Sequence, residues 1–435
     1  MAFKGETSVY YEGFLVGRIT IDAKQNIEFN YDPRWLATNG SFPLSVTLPL
    51  ETRTYEGAAL LTWLANLLPE GPNLIGVSRA LGLSTTDALA ILKAIGGDTA
   101  GALSIGLPSV RGEWRYTPLL PQYDVDCETA ALGMHFADLG KRPFLVGEEG
   151  VRISLAGGQK KTALAVLNED GCPTLGLPGP GDRLAIPKNG APSTVILKPD
   201  NPALPGVLEN EAYCLCLAKL VGIEAVDCMI IETTEGRALV VARYDRQMGR
   251  TGSIKRLHQE DFAQANGILP GRKYEGGRVA SLSLNGILQT GTHLPPGEAL
   301  KLVDQVIFNI LIANTDAHAK NYSMILSAGR RVAPLYDACS SLLWEHMNQY
   351  HAQKIAGLAL KPGEVTRKHW ECIARDTGLN ARSLRLRVQE LAGATMNSKP
   401  AATEAVSNLP GALPEMVGKV ADLVETNAQK IASEA

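Results

Sequence analysis

Apolar and polar residues alternate along SVYYEGFLVGRITI and again along NIEFNY, with Glu12-Gly13 between the first two runs. A period of two sends successive side chains to opposite faces of a strand, so the pattern predicts a β-hairpin leading into a third strand. From about 57 to 95, GAALLTWLANLL and TTDALAILKAI repeat apolar residues every three or four positions, the spacing of a helix face. The chain therefore opens with a small α+β module.

Between 111 and 146 the periodicity weakens and prolines recur. From Val151, the apolar runs VRISL and TALAVL predict two strands around the loop AGGQKK. A Pro/Gly-rich stretch, 172–192, precedes STVILKP, a β-branched run ending near Lys198; NEAYCLCLAKLVGI then has helical spacing, and AVDCMIIET and RALVVARYD read as further strands. Beyond Leu257 the pattern is mainly helical, EALKLVDQVIFNILIAN being the longest periodic stretch, and after Ser398 an Ala- and Pro-rich tail ends in an amphipathic helix pattern. No internal repeat or low-complexity tract interrupts this order.

A length of 435 residues exceeds what one core usually supports, so two or three domains are expected. With 42 basic and 45 acidic side chains, a net charge of −3 supplies no global field toward nucleic acid or anionic membrane. MAFKGETSVYY lacks the apolar core of a signal peptide, and no segment has the roughly 18 uninterrupted apolar residues of a membrane span, so a cytoplasmic protein is expected. Seven scattered cysteines form no disulfide framework, and Cys214 and Cys216, two apart on a helix, face different ways. They read as reduced structural thiols.

The chemistry concentrates in TDAHAKN. Asp316 and Asn321 keep an Asp-x-x-x-x-Asn spacing directly after the long helix, the arrangement in which protein kinases hold a catalytic base and a metal-binding amide. RRVAPLYD then predicts a β segment ending at Asp337, where a second metal carboxylate is expected. The plainer alternative is that Asp316 caps the next helix and Asp337 begins a turn. Lys198 closes Val-Ile-Leu-Lys, close to the kinase Val-Ala-Ile-Lys whose ammonium meets the α- and β-phosphates; otherwise it is an ordinary strand-end lysine. Glu211, at the start of the following helix, is either that lysine's ion-pair partner or a first-turn acid complementing the helix dipole. Gly157, Gly158 and Lys161 belong to a loop that can cradle phosphates, although Gly-Gly also occurs in many hairpin turns. His318, with His346 and His351, lacks the spacing of a metal-hydrolase set and fits a polar role in the catalytic loop.

The strings ISLAGGQKKTAL, RLHQEDFAQ, TDAHAKNYS and LYDACS, with FPLSVTLPL, NLLPEG and IGGDTAGAL, resemble the HipA family of bacterial serine/threonine kinase toxins over nearly the whole chain. The resemblance implies an α+β, two-lobed protein-kinase-like fold: an added N-terminal α+β subdomain at 1–110, a β-rich N-lobe with the ATP-covering loop at 111–255, and a helical C-lobe at 256–435. It implies ATP and Mg²⁺, a HipB-like helix-turn-helix antitoxin that binds operator DNA, and a protein substrate in translation, such as glutamyl-tRNA synthetase, whose modification arrests growth and gives persistence. It makes Asp316 the base, Asn321 and Asp337 the Mg²⁺ ligands, and Lys198, Lys161 and His318 contacts of ATP. Ala242-Arg243-Tyr244 matches the hinge that meets adenine through backbone groups of Ala242 and Tyr244, and Ser154 matches the autophosphorylated serine that expels the loop; as a plain strand residue it would carry a solvated hydroxyl. Ala242 stands where the family's best-known member has an acid, as does Lys160, which makes the loop more basic. A small-molecule or lipid kinase shares the Asp-x-x-x-x-Asn logic, and a silent pseudokinase acting as co-repressor would not need the intact set.

Overall fold

Alternation at the start of the chain becomes three antiparallel strands, Gly5–Tyr11, Phe14–Ile21 and Ile27–Tyr31, with Val9, Val16, Ile19, Ile27 and Phe29 buried. The sheet runs Thr54–Glu56, Ile27–Tyr31, Phe14–Ile21, Gly5–Tyr11, Leu103–Ile105. Helices Ala58–Asn66, Gly71–Leu81 and Ala88–Ile95 fall where the three- and four-residue spacing puts them. The computed structural model describes residues 5–24, 26–250, 252–276 and 281–435. The chain divides into two units: Met1–Pro199 with Glu232–Glu260 and Ile325–Gly329, and Asp200–Ile231 with Asp261–Met324 and Arg330–Ala435.

In the first unit a second, antiparallel sheet runs Gly236–Ala242, Val195–Pro199, Thr162–Leu167, Arg183–Lys188, Arg115–Pro118, and Pro173–Thr174 adds to Thr162–Leu167. One expected strand is missing from it. The run VRISL is extended but joins no strand of this sheet: Ile153 instead forms a parallel bridge with Asp98, and Gly97 N and Asp98 N donate to Arg152 O at 3.1 and 2.8 Å. A Cβ on Gly97 would lie 2.8 Å from Arg152 Cβ, so only glycine permits this approach. Apolar periodicity marked Val151, Ile153 and Leu155 as buried, which they are, but could not say against what.

The second unit is mainly helical: Val207–Leu220, Leu284–Thr290, Pro296–Leu311, Arg367–Thr377, Ala381–Ser407 and Pro414–Glu434. Ala381–Ser407 packs on Pro414–Glu434 and Val207–Leu220 and continues past Pro400, so the Ala/Pro-rich tail is helical on both sides of a break at 408–413. Among the described residues no helix is long and apolar enough to cross a membrane. None of the seven cysteines forms a disulfide, and burial pushes the Cys214 thiol well above its ordinary range.

Candidate functional site

In the second unit, the helix Pro296–Leu311 buries Val306 through Leu311 and delivers the chain into Asn314-Thr315-Asp316. Its end is capped from afar: Asn427 Nδ2, on the C-terminal helix, donates to Ile310 O at 2.9 Å and Leu311 O at 2.8 Å. Asn314 Nδ2 donates to Asn309 Oδ1 at 2.8 Å, while Asn314 Oδ1 accepts from Asp316 N at 3.1 Å. Thr315 is held from both sides, its N–H on Ser341 Oγ at 3.0 Å and its hydroxyl on Asn348 O at 2.8 Å. The loop is thus fixed by short polar side chains rather than by regular structure.

Asp316 is exposed and its Oδ1 accepts from the Tyr274 hydroxyl, while His318 occupies the N-cap position of the turn that follows, without a side-chain cap. Asn321 is buried, and its Nδ2 donates to Asp316 O at 2.9 Å, which ties the two ends of the Asp-x-x-x-x-Asn motif together. Lys320, between them, forms a buried ion pair with Asp261 at 2.7 Å. His318 is buried edge-on to Tyr274, and burial, with Lys273 adding to it, lowers its pKa to about 3, so the imidazole is neutral. Its Nδ1 has no hydrogen-bond partner.

Asp337 does not end a β segment. The strand it was expected to close is only Arg331–Val332, and Asp337 lies five residues on, half-buried, at φ +53°. The turn alternative describes its backbone, and left-handed geometry is where a short Asp is tolerated. The following Ser340 is locked to the helix Val207–Leu220, with Asn210 Nδ2 on Ser340 O at 2.8 Å and Ser340 N on Asn210 Oδ1 at 2.7 Å. Glu211 is buried in that helix, but the helix begins at Val207, so Glu209 and not Glu211 is the first-turn acid. The dipole alternative for Glu211 therefore falls away.

In the first unit Lys198 is buried on Val195–Pro199, opposite Leu239 of the neighbouring strand. Ala242 ends that strand, and Arg243 N donates to Thr194 O at 2.9 Å. Strand alternation then turns the backbone groups of Ala242 and Tyr244 away from Thr194. The Tyr244 hydroxyl donates to Gln259 Oε1 at 3.0 Å. Arg243 itself is buried, paired with Asp245 at 2.7 Å and bonded to Ser193 Oγ and Thr99 O. Around it Arg246 and Arg256 meet Asp98 Oδ1 at 2.8 and 3.1 Å, and Asp245 also accepts from Gly101 N at 2.7 Å. Sequence reasoning took only the backbone of this segment and missed the cluster its side chains make.

The loop that follows VRISL is not a hairpin turn. Gly157 has φ +101°, and a Cβ there would lie 2.8 Å from Lys161 Nζ, so the ammonium of Lys161 covers that glycine while Gly158 is exposed. Lys160 turns elsewhere, its Nζ donating to Phe136 O at 3.1 Å. Ser154 has no solvated hydroxyl: it is buried, with Oγ donating to Leu67 O at 2.7 Å and N to Asp98 O at 3.0 Å.

Two family models cover most of the chain, the HipA N-terminal domain over residues 7–106 and the HipA-like C-terminal domain over 153–398. A relative named putative kinase Y4mE, from Sinorhizobium fredii, is 33% identical over 92% of this chain and 93% of its own length. The chain belongs to the HipA family. The serine/threonine-protein kinase toxin HipA of Shewanella oneidensis is 28% identical over 78% of this chain and 76% of its own. A solved complex of Shewanella oneidensis HipA with HipB and operator DNA superposes with a TM-score of 0.81 at 23% identity, covering 98% of this chain and 97% of that one. The fold is accordingly the α+β, kinase-like one, with a β-rich N-lobe, a mainly helical C-lobe and an added N-terminal α+β subdomain.

The strings that carry the HipA likeness have physical work within this chain. FPLSVTLPL meets RLHQED: His258 Nε2 lies 2.8 Å from Leu44 O, the imidazole stacks on Phe42 with ring centres 5.0 Å apart, and Glu260 Oε1 accepts from Val46 N at 2.8 Å. NLLPEG and IGGDTAGAL together receive the VRISLAGG segment through Leu67, Glu70, Gly97 and Asp98.

Proposed function

We propose that this HipA-family chain is an ATP-dependent serine/threonine protein kinase and the toxin of a toxin–antitoxin pair. What carries the reading is the Asp316–Asn321 loop, closed by the Asn321 Nδ2 to Asp316 O bond and set in a chain that matches a putative kinase over 92% of its length and a kinase toxin over 78%. Lys198, Lys161, His318 and the backbone of Ala242 and Tyr244 hold the nucleotide, and Glu211 serves as the ion-pair partner that aims Lys198. The orphaned Nδ1 of neutral His318 is suited to a hydrogen bond with the nucleotide. Asp316 takes the proton of the acceptor hydroxyl as the phosphorus–oxygen bond forms and ADP leaves.

The residues fit a magnesium ion. With Asn321 Nδ2 engaged, the amide offers its oxygen, and Asp337 adds a carboxylate, an all-oxygen set of the kind Mg²⁺ takes. When bound, the ion neutralises charge developing on the β- and γ-phosphate oxygens.

The acceptor is a Ser or Thr of a translation component such as an aminoacyl-tRNA synthetase, glutamyl-tRNA synthetase among them, and growth arrest and persistence follow. Ser154 is the autophosphorylation site; because its hydroxyl is buried on Leu67 O, the segment must leave its seat before phosphate can be added, and two added charges would keep it out. A HipB-like antitoxin, through which operator DNA is bound, completes the reading; the Shewanella structure holds HipA, HipB and operator DNA in one complex.

Incubating the chain with γ-labelled ATP and Mg²⁺ should label Ser154, and Asp316→Gln should abolish both the label and growth arrest while the fold persists. An Asp316→Gln chain that still arrests growth would sink the kinase mechanism. Transfer to a small-molecule acceptor with none to protein would replace it with another kinase class.

A further inference from the structure

The glycine loop is seated on the N-terminal domain. Leu67 O receives the Ser154 hydroxyl, Glu70 N donates to Gly157 O at 3.1 Å, and Pro69 bridges Gly157. One side chain completes the seat. Asn73, half-buried on the helix Gly71–Leu81, sends its single amide nitrogen to two successive carbonyls, Gly158 O and Gln159 O, at 3.2 Å each. An NH₂ group has two protons, so both bonds can be made at once.

The consequence lies in the peptide planes. In a planar trans peptide the C=O of one residue and the N–H of the next point in opposite directions. With the carbonyls of Gly158 and Gln159 both drawn to Asn73, the N–H groups of Gln159 and Lys160 face the other way, side by side. Successive N–H groups on one side of a turn form a concavity that suits anionic oxygens.

We propose that Asn73, a residue of the N-terminal domain, is a positioning residue for phosphoryl transfer: by gripping the carbonyls of Gly158 and Gln159 it presents the amides of Gln159 and Lys160 to the phosphates of ATP. This rests on the kinase reading above and adds a role for the N-terminal domain in that site. Asn73 acts only through the loop, so it governs affinity for the phosphates and not for the nucleoside.

The test uses the purified full chain and two variants, Asn73→Ala and Asn73→Asp. The second keeps the shape of the side chain but offers only acceptors, and it stands in if Asn73→Ala fails to fold. Calorimetric affinities for MgATP and for adenosine are compared, with thermal unfolding as a check on the fold. Loss of two hydrogen bonds that fix the loop is expected to weaken MgATP binding about 10-fold, at unchanged adenosine affinity. MgATP affinity within twofold of the unaltered chain in both variants would overturn the proposal, as would an equal loss for adenosine. If the unaltered chain itself binds no MgATP, the kinase reading fails and takes this role with it.

Discussion

Asp98 is fully buried among three guanidinium groups, and with Asp245 it leaves two carboxylates against three cations. Burial alone would raise its pKa, but Arg246, Arg243 and Arg256 together hold the carboxyl well below its usual range. Asp98→Asn keeps the shape and removes the charge, leaving Arg246 and Arg256 facing a neutral amide. An uncompensated buried charge costs about 3–5 kcal/mol, so the urea midpoint of Asp98→Asn should fall by that equivalent. A shift worth less than about 1 kcal/mol would mean that Asp245 takes over the pairing. None of this was legible in the sequence, because Asp98 and Arg246 lie 148 positions apart and ion pairs leave no periodicity. What was legible was the nearness of Asp316 and Asn321, since their contact spans five positions of one loop.

At the scale of elements, apolar spacing located the helix Pro296–Leu311 and the hairpin Gly5–Ile21, because each buries a periodic face. It failed where an extended segment borrows its partners from a distant place, as VRISL does from Gly97 and Asp98, and where a strand shrinks to Arg331–Val332 before Asp337. Caps supplied from elsewhere were equally silent, and Asn427 on the carbonyls of Ile310 and Leu311 is the clearest case. Asn427→Ala takes the side-chain donor from Leu311 O and leaves Ile310 O with backbone donors such as Ala313 N, in a site where Asn427 itself is buried. The expected cost is about 1–3 kcal/mol, seen as a lower thermal midpoint, together with slower labelling by ATP because the loop carrying Asp316 is anchored there. A variant with an unchanged midpoint would show that backbone or water replaces the amide.

Across the whole molecule, three histidines are buried and a fourth, His351, is half-buried, and all four are neutral: desolvation lowers His135, His258 and His351 to about 4 and His318 to about 3. In the unfolded chain each titrates near 6.5, so below that pH the unfolded state binds protons that the folded state refuses. Stability is thus full above about pH 6.5 and falls as pH drops toward 4; the Asp98 carboxyl, depressed rather than raised, adds a loss only at lower pH still. Urea unfolding at pH 7.5, 6 and 5 should show a declining midpoint, and a flat profile would mean that these imidazoles are solvated.

The division into units has a consequence for how the chain is made. The first unit draws on three separated stretches, the last of them Ile325–Gly329, where the hydroxyl of Ser327 accepts from His258 N at 2.8 Å. A ribosome must therefore translate through Gly329 before that unit has all its parts, and the carboxylate and amide of Asp316 and Asn321 emerge just ahead of the closing piece. A nascent chain of this kind has no finished first unit to display early, so that unit is completed only after the Asp316–Asn321 loop has already been made.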